Sequence, residues 1–305
     1  MRERGKLIGS RERNKRMENI AGYLFLAPWL VGLVAFTIIP VFTSLYLSFT
    51  DYNMLTSPVW KGLDNYKRLF TDTRFIKSMS VTAKFVLLGV PIKLVCALLI
   101  AVLLNKKVRG LGIYRAVYYL PSLLGSSVAV SILWRQIFNR TGLVNQLLAV
   151  FGIQGMNWIA TPSTAIYTII LLEIWQFGSP MLIFLAGLRQ IPVELYESAS
   201  IDGASKVRCF FSITLPLLSP TVFFNMVMQM INALQSFNSV YIISGGTGGP
   251  LDSTLLLSLY LYLNGFSFFK MGYASAIAWV ILIIVAIITA IQFKLSGKWV
   301  FYENE

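Results

Sequence analysis

Histidine is absent from this 305-residue chain, and charged residues make up only 13% of it. Without histidine, a Ser-His-Asp triad cannot be built and the commonest metal ligand is missing. The two cysteines, Cys96 and Cys209, lie in an apolar run and in a basic loop, so we predict neither a disulfide nor a cysteine metal site. Because soluble domains are about 25% charged, the low charge also argues against a single water-soluble globule.

Long apolar runs are the main feature of the sequence. Hydrophobic residues make up 56% of the chain, and its mean hydropathy is +0.68. Lysine and arginine outnumber aspartate and glutamate by 26 to 13, and a net charge of +13 can indicate a nucleic-acid partner. Here the basic residues lie between the apolar runs instead of along a polar face. The composition therefore predicts a membrane protein, with membrane lipid and no nucleic acid as a partner.

Six segments have the length of about 20 mostly apolar residues that is needed to cross about 30 Å of hydrocarbon. We therefore predict an all-α membrane protein with six transmembrane helices. They cover residues 21–49, 81–104, 116–134, 166–188, 217–243 and 271–293. A shorter apolar run at 142–153 is punctuated by glycines and is predicted to be an interfacial helix.

The distribution of lysine and arginine predicts the orientation, since positively charged short loops stay cytoplasmic. Sixteen of these residues fall on the side of both termini and eight on the other side, so both termini are expected in the cytoplasm. The chain then divides into a basic cytoplasmic arm at 1–19, a six-helix transmembrane domain at 20–293 and a cytoplasmic tail at 294–305. The arm is predicted to set the topology, and binding of anionic lipid is the alternative.

The loop between the predicted fourth and fifth spans, residues 189–216, has a distinctive pattern. Residues 193–200 are predicted to form a short helix. Asp202 and Gly203 supply a sharp turn, because glycine tolerates positive φ. A second amphipathic stretch at 206–213 follows. The pattern predicts a helix-turn-helix on the cytoplasmic membrane surface that presents carboxylates to a soluble partner.

Six positions of this loop match the EAA signature of the membrane subunits of bacterial ABC importers, which reads E-A-A, three residues, G, nine residues, I-x-L-P. They are Glu197, Ala199, Gly203, Ile213, Leu215 and Pro216. Ser198 stands where the signature has its first alanine. The chain therefore resembles this family, and the resemblance implies a type I ABC importer permease fold. It also implies that the loop contains the EAA coupling helix that docks on an ATPase, with four coupling residues: Glu197, Ala199, Asp202 and Gly203.

Further stretches resemble the carbohydrate-uptake branch of the same family. They are found along nearly the whole chain, at residues 39–40, 48–53, 62–66, 118–121, 184–188 and 248–250. The chain looks most like permeases for oligosaccharides, including those released from plant polysaccharides. The resemblance thus implies a carbohydrate substrate and the bacterial cytoplasmic membrane as the location.

The resemblance also implies several partner proteins. A single six-helix subunit cannot enclose a substrate path, so a second permease subunit is expected. In this branch of the family it is usually a different but similar chain. Two cytoplasmic ABC ATPase subunits and an extracellular solute-binding protein are expected as well. No G-x-x-x-x-G-K-[ST] loop occurs in the chain. ATP and Mg are therefore expected on the ATPase partner, with no cofactor bound by this chain and no enzymatic activity of its own.

Polar side chains in the predicted fifth span indicate a substrate path, because polar groups inside a bilayer usually face the bundle interior or a water-filled route. The four recur at helical spacing within an arc of about 60°. They are Asn225, Gln229, Asn232 and Ser236. Amides both donate and accept hydrogen bonds, which suits uncharged, hydroxyl-rich ligands. Interhelical hydrogen bonding that holds the bundle together is the alternative.

Two ionisable residues, Lys93 and Glu173, are expected at depths of about 18 and 22 Å from the inner ends of their helices. We hypothesise that they pair and line the path, because a lone buried charge is penalised far more than a matched one. The alternative is that Lys93 extends to the interface, helped by a helix break at Pro91.

Aromatic rings are a further set of pathway candidates, since they stack on the C–H faces of sugars. They are Trp134, Trp175, Phe177, Phe237 and Tyr241. Anchoring at the membrane interface is the alternative role for such residues.

Three other functions stay open. An ABC permease for glycerol phosphate or a polyol would share the loop signature, but an anionic ligand calls for basic residues along the path and only Lys93 qualifies. A self-contained secondary carrier would not need the signature. A membrane-embedded enzyme, such as a lipid or glycan transferase, is disfavoured because Glu173 alone gives no acid–base pair.

Overall fold

The structure, a computed structural model, describes residues 22–106, 110–125 and 127–301. Apolar helices make up most of it, and the described strands are β1 (Thr50–Asp51) and β2 (Val59–Trp60), which pair antiparallel. The prediction of an all-α membrane protein is confirmed. The predicted arm at 1–19 and the last four residues of the tail lie outside the described residues.

The helices are numbered in chain order over the described residues. They are α1 (Gly22–Ser48), α2 (Asp64–Thr71), α3 (Thr73–Leu104), α4 (Leu111–Leu124), α5 (Val128–Ile137), α6 (Leu143–Val150), α7 (Ala165–Trp175), α8 (Gly178–Leu188), α9 (Val193–Ile201), α10 (Lys206–Leu217), α11 (Ser219–Leu234), α12 (Asn238–Ile243), α13 (Leu257–Tyr262) and α14 (Met271–Ser296). Wider π turns occur in α1 at Val34–Ile38, in α10 at Phe210–Thr214 and after α13 at Leu263–Ser267.

Helices α1, α3 and α14 are each long and apolar enough to cross a membrane. Three further spans are possible if each of three bent helix pairs counts as one: α4 with α5 (bent by 96°), α7 with α8 (40°) and α10 with α11 (65°). The described residues thus hold three spans by length and composition, or up to six. The third and fourth spans that the sequence predicts as continuous are each formed by two helices in the structure: α4 ends at Leu124 and α5 starts at Val128, and α7 ends at Trp175 and α8 starts at Gly178.

The predicted fifth span, residues 217–243, starts within two residues of the observed helix but is interrupted before its predicted end. The helix that fills it, α11, ends at Leu234, and α12 starts separately at Asn238. At the start, Pro216 lacks a backbone N–H and its ring crowds the preceding turn, which accounts for the π turn. Pro220, in the first turn of α11, likewise cannot donate to the Pro216 carbonyl, which accounts for the bend before α11. At the end, the Ser258 hydroxyl donates to the carbonyl of Ser236 and holds the chain outside the helix.

Helix α3 forms the centre of the bundle and packs against α7, α8 and α11. Ala97 and Ala101 on α3 are fully buried, and their small side chains let Met181 of α8 and Leu218 approach closely. A second cluster surrounds Phe85, where α3 meets α7, α13 and α14.

Asp72 organises the end of the bundle at which α3 and α14 begin. One carboxylate oxygen caps α3 by accepting from the backbone amides of Arg74 and Phe75, and the other accepts from the hydroxyls of Tyr260 and Tyr273. Burial acts to raise the pKa of Asp72, but these hydrogen bonds outweigh it, so the pKa lies below its usual value. This cap starts α3 eight residues before the predicted start of the second span.

The same end of the bundle holds a half-buried ion pair between a helix and a loop. Nη2 of Arg74 lies 2.7 Å from Oδ1 of Asp252, and Nε donates to Oδ2 at 3.0 Å. This bidentate geometry joins α3 to the turn at Pro250–Asp252.

The predicted interfacial helix is present as α6. It ends where Gly152 adopts a φ of +71°, and the loop after it is held by Asn145, which donates to the Met156 carbonyl and accepts from the Trp158 indole, both at 2.7 Å. Its position relative to the membrane surface stays a prediction.

Candidate functional site

A polar cavity of about 340 Å3 lies beside two helix breaks, the one between α7 and α8 and the one between α11 and α12. Its lining is made almost entirely of amides, hydroxyls and one ion pair. The lining residues are Lys93, Ser122, Glu173, Gln176, Ser179, Gln229, Asn232, Gln235, Ser236, Phe237, Asn238 and Ser239. Irregular backbone within a membrane is tolerated where it lines a cavity, which explains why these breaks converge here.

The predicted ion pair between Lys93 and Glu173 is present in the cavity wall. Nζ of Lys93, on α3, donates to Oε1 of Glu173, on α7, at 2.6 Å. The two side chains are only 7% and 16% exposed. Lys93 is eleven residues from the end of α3 at Leu104, or about 16 Å along the helix. The alternative in which the lysine extends to the interface is therefore wrong for this structure.

Two of the four predicted pathway side chains reach the cavity from α11. Gln229 and Asn232 line it, and Gln229 is buried. Ser236 also lines the cavity, but from the break after α11 and not from the helix itself. The prediction that all four share one helical arc is therefore wrong for Ser236, since the helix has already ended at Leu234.

Asn225 and Trp175 lie outside the cavity lining. Asn225 is fully buried, and its Nδ2 donates to the Pro180 carbonyl at 3.4 Å, so it joins α11 to α8 as the interhelical alternative anticipates. Trp175 packs against Trp134, with ring centroids 5.7 Å apart. Of the aromatic candidates, Phe237 lines the cavity.

Six of the lining residues were missed by the sequence analysis. They are Ser122, Gln176, Ser179, Gln235, Asn238 and Ser239. Helical periodicity cannot detect them because several lie in or beside breaks. The break between α7 and α8 is held by Ser122, whose hydroxyl donates to the Gln176 carbonyl at 2.9 Å and accepts from the Ser179 amide at 3.0 Å. A Gln-Phe-Gly-Ser-Pro run inside an apolar span was the available signal.

Glycine is required at the same break. A Cβ at Gly178 would lie 2.7 Å from the Tyr118 carbonyl oxygen and 2.8 Å from the Ser122 hydroxyl. The backbone of α8 therefore rests directly on α4, which brings Ser122 to the cavity.

The second candidate site is the segment predicted to dock on an ATPase, where the short helix predicted at 193–200 is present as α9. It ends in a Schellman motif: the amide of Ala204 donates to the Ala199 carbonyl at 2.9 Å, and the amide of Gly203 donates to the Ser200 carbonyl at 3.1 Å. Gly203 has a φ of +72°, as the sequence predicts for a sharp turn. Ser205 then caps α10. The predicted helix-turn-helix is confirmed as a local structure.

The carboxylates of this segment point outward. Glu197 and Asp202 are exposed, whereas Ala199 is half-buried. Within the described part of the chain, neither carboxylate forms an ion pair. Exposed apolar side chains, Ile201 and Val207, lie in the same segment. The described surface thus offers both charge and apolar area to a soluble partner.

The described residues hold no group of three Cys, Asp or Glu side chains that could bind a metal ion.

The sequence profile of a family described as "Binding-protein-dependent transport system inner membrane component" matches residues 74–300, which include the cavity lining and α9. The chain belongs to this family. The permease is 54% identical over 297 residues to the "Probable ABC transporter permease protein YesP" of Bacillus subtilis, with 97% of this chain and 96% of the relative covered. It is 37% identical to the "Lactose transport system permease protein LacF" of Rhizobium radiobacter, covering 93% and 96% of the two chains.

A solved structure has the same fold. It is a bacterial ABC transporter involved in the import of the acidic polysaccharide alginate, with a TM-score of 0.78, 22% identity, and coverage of 94% of this chain and 99% of that one. The permease is therefore a membrane-embedded transport component and not an enzyme. Membership of a binding-protein-dependent family also excludes the self-contained carrier.

Proposed function

We propose that the permease imports an uncharged oligosaccharide by alternating access, and that the polar cavity is a binding station on the path. The observation that carries this proposal is the lining itself, in which amides and hydroxyls surround a single charge-balanced ion pair. Such groups can donate to and accept from the many hydroxyls of a sugar. The relative named for lactose, a disaccharide, supports a substrate of this class.

The size of the cavity fits a short sugar. Its volume of about 340 Å3 is at the lower end of the range of about 300–1,000 Å3 that small-ligand sites occupy. Phe237 offers a ring face in an otherwise polar lining. A disaccharide, or one end of a longer chain, is the substrate that this volume favours.

Charge disfavours glycerol phosphate. An anion would need an unpaired cation in the lining, and the one basic lining residue, Lys93, is held 2.6 Å from Glu173. Breaking this pair to bind an anion would leave Glu173 as an uncompensated charge. A polyol carries no charge and is the second candidate, because the same amides and hydroxyls could bind it.

The proposed cycle requires partner proteins. We infer that α9 faces the cytoplasm and docks on an ABC ATPase through Glu197 and Asp202, with the turn at Gly203 setting the shape and Ala199 packing beneath. Two such ATPases, which would bind ATP and Mg, would act on this chain and on a second permease. A solute-binding protein would deliver the sugar to the opposite end. The exposed carboxylates and apolar side chains of the α9 segment support this docking.

Copurification tests the docking. The tagged permease would be extracted in mild detergent from its native cells, as the native chain and as Glu197→Lys. Glu194→Lys is the matched control, since Glu194 is an exposed carboxylate of the same helix outside the EAA signature. We expect an ATPase and a second permease with the native chain and the control, and loss of the ATPase with Glu197→Lys. Recovery of the native chain alone, or full ATPase with Glu197→Lys, would refute the docking.

Transport measurements test the substrate class. Uptake of radiolabelled lactose, glycerol and glycerol 3-phosphate would be compared in cells that depend on this permease. Gln229→Ala and Asn232→Ala are expected to raise the KM for the transported sugar about fivefold each, since each removes a hydrogen bond of about 1 kcal/mol. Met228→Ala is the control on the same helix, because Met228 is 40% exposed and does not line the cavity. Uptake of glycerol 3-phosphate but no sugar would refute the proposal.

A further inference from the structure

Tyr196 is the residue of α9 that turns inward. Its neighbours Leu195 and Glu197 are exposed, whereas Tyr196 is half-buried. Its Oη lies 2.8 Å from Oγ1 of Thr214, whose side chain is buried. Within the described residues, it is the only side-chain hydrogen bond that joins α9 to a different helix. The bond therefore connects the docking surface to the interior.

The bond ends in the irregular part of α10. Either hydroxyl can donate, because Tyr196 and Thr214 each carry one proton and an acceptor oxygen. Thr214 is the last residue of the π turn in α10, two residues before Pro216. The hydrogen bond thus joins α9 to the wider turn of α10 that precedes the bend into α11.

The covalent route between the same two residues is long and exposed. Tyr196 and Thr214 are 18 positions apart in the chain, and the route passes through the exposed turn at Gly203. The hydrogen bond bypasses this turn and reaches α10 five residues before the start of α11, the helix that carries Gln229 and Asn232 into the cavity.

We propose that Tyr196 is a positioning residue for coupling: its hydrogen bond to Thr214 makes α9 and the α10–α11 pair move together, so that movement of the docked helix reaches the cavity. The inference rests on the proposed docking of α9 on an ATPase. This role of Tyr196 can be distinguished from a purely structural one. Loss of the bond would leave ATP hydrolysis intact but would weaken the movement of α11 in response to ATP.

The test follows the movement of α11 without needing the sugar. The whole transporter complex would be isolated from its native cells in lipid nanodiscs, with Cys96→Ser and Cys209→Ser as the background. Spin labels at Phe224→Cys on α11 and Leu99→Cys on α3 occupy exposed positions. Pulsed electron resonance would give the distance between them without nucleotide and with ATP plus vanadate, and ATP hydrolysis would be measured on the same samples.

Four variants separate coupling from folding. Tyr196→Phe and Thr214→Val each remove the bond, and Thr214→Ser keeps the hydroxyl. Tyr66→Phe is the matched control, because it removes another tyrosine hydrogen bond of 2.8 Å, to Ser48, away from α9. We expect the first two to hydrolyse ATP like the native complex while the fraction of shifted complexes falls about 2- to 10-fold, as expected for one hydrogen bond. Thr214→Ser and Tyr66→Phe should shift fully.

Two results would overturn this inference and leave the proposed function standing. One is a full distance shift in both Tyr196→Phe and Thr214→Val. The other is an equal loss of shifted complexes in Tyr66→Phe, which would assign the effect to general stability. A native complex that contains no ATPase, or whose α11 ignores ATP plus vanadate, would refute the proposed function and the inference with it.

Discussion

Neutralising one member of the Lys93–Glu173 pair is expected to destabilise the permease strongly, whereas neutralising both is expected to cost little. The pair is 2.6 Å long and its side chains are 7% and 16% exposed, so either charge left alone would be poorly solvated. Removing one partner of such a buried pair costs about 3–5 kcal/mol, and replacing both with neutral groups is often close to neutral. The single variants Lys93→Met and Glu173→Gln should therefore each be worse than the double variant.

The assay is thermal unfolding of the purified permease in detergent, together with expression level. In large domains, each kcal/mol of destabilisation lowers Tm by at least about 2 °C. Each single variant should therefore lower Tm by about 6–10 °C. Lys84→Met is the control because Lys84 also joins α3 to α7, with Nζ 4.3 Å from the ring centre of Tyr167, but is exposed. Its loss should cost about 0.5–1 kcal/mol.

A double-mutant cycle decides the outcome. The coupling energy between Lys93 and Glu173 should be about 6–10 kcal/mol, because two single costs of about 3–5 kcal/mol each are set against a double variant that costs little. Additive single variants that each cost no more than Lys84→Met would show that the charges are well solvated and that the cavity is open to water. In that case the lining would carry two solvated charges instead of one tight neutral pair.

Three further predictions concern the backbone and the ends of helices. Gly178→Val should destabilise the fold by more than about 2 kcal/mol in thermal unfolding, because its Cβ would overlap α4. Gly203→Asn should keep the ATPase in copurification better than Gly203→Val, since asparagine tolerates a φ of +72° and a β-branched residue does not. Asp72→Asn should lower the Tm, because it weakens bonds from Tyr260 and Tyr273. The lowered pKa of Asp72 means that this stabilisation is complete above about pH 4 and is lost as the pH falls through that pKa; a Tm difference between the two proteins that persists unchanged at low pH would contradict it.

The pairing of Lys93 with Glu173 was predictable because charge in an apolar environment leaves few alternatives. Both residues interrupt long apolar runs, and the rise of a helix placed them at similar depths. The turn of α9 was predictable for a different reason. A Schellman motif depends on a few consecutive residues and on glycine at positive φ, so the sequence around Gly203 contains all of its parts.

The stripe of polar residues on α11 shows where periodicity stops being informative. Gln229 and Asn232 follow the helix into the cavity, but Ser236 does not, because α11 ends at Leu234. That end is stabilised by the hydroxyl of Ser258, which lies 22 residues further along the chain. The periodicity of residues along one helix cannot predict a contact with such a distant residue.

The sequence by itself determined the apolar segments, the membrane location and the local shape of the α9 loop, because hydrophobicity and short-range backbone geometry depend on neighbouring residues. Only the tertiary structure decided where the spans break and which polar groups share a cavity. Ser122, for instance, reaches the break between α7 and α8 from a position 54 residues away, and it can do so because Gly178 lets the two backbones touch. Contacts of this kind depend on packing between distant segments, which no local pattern encodes.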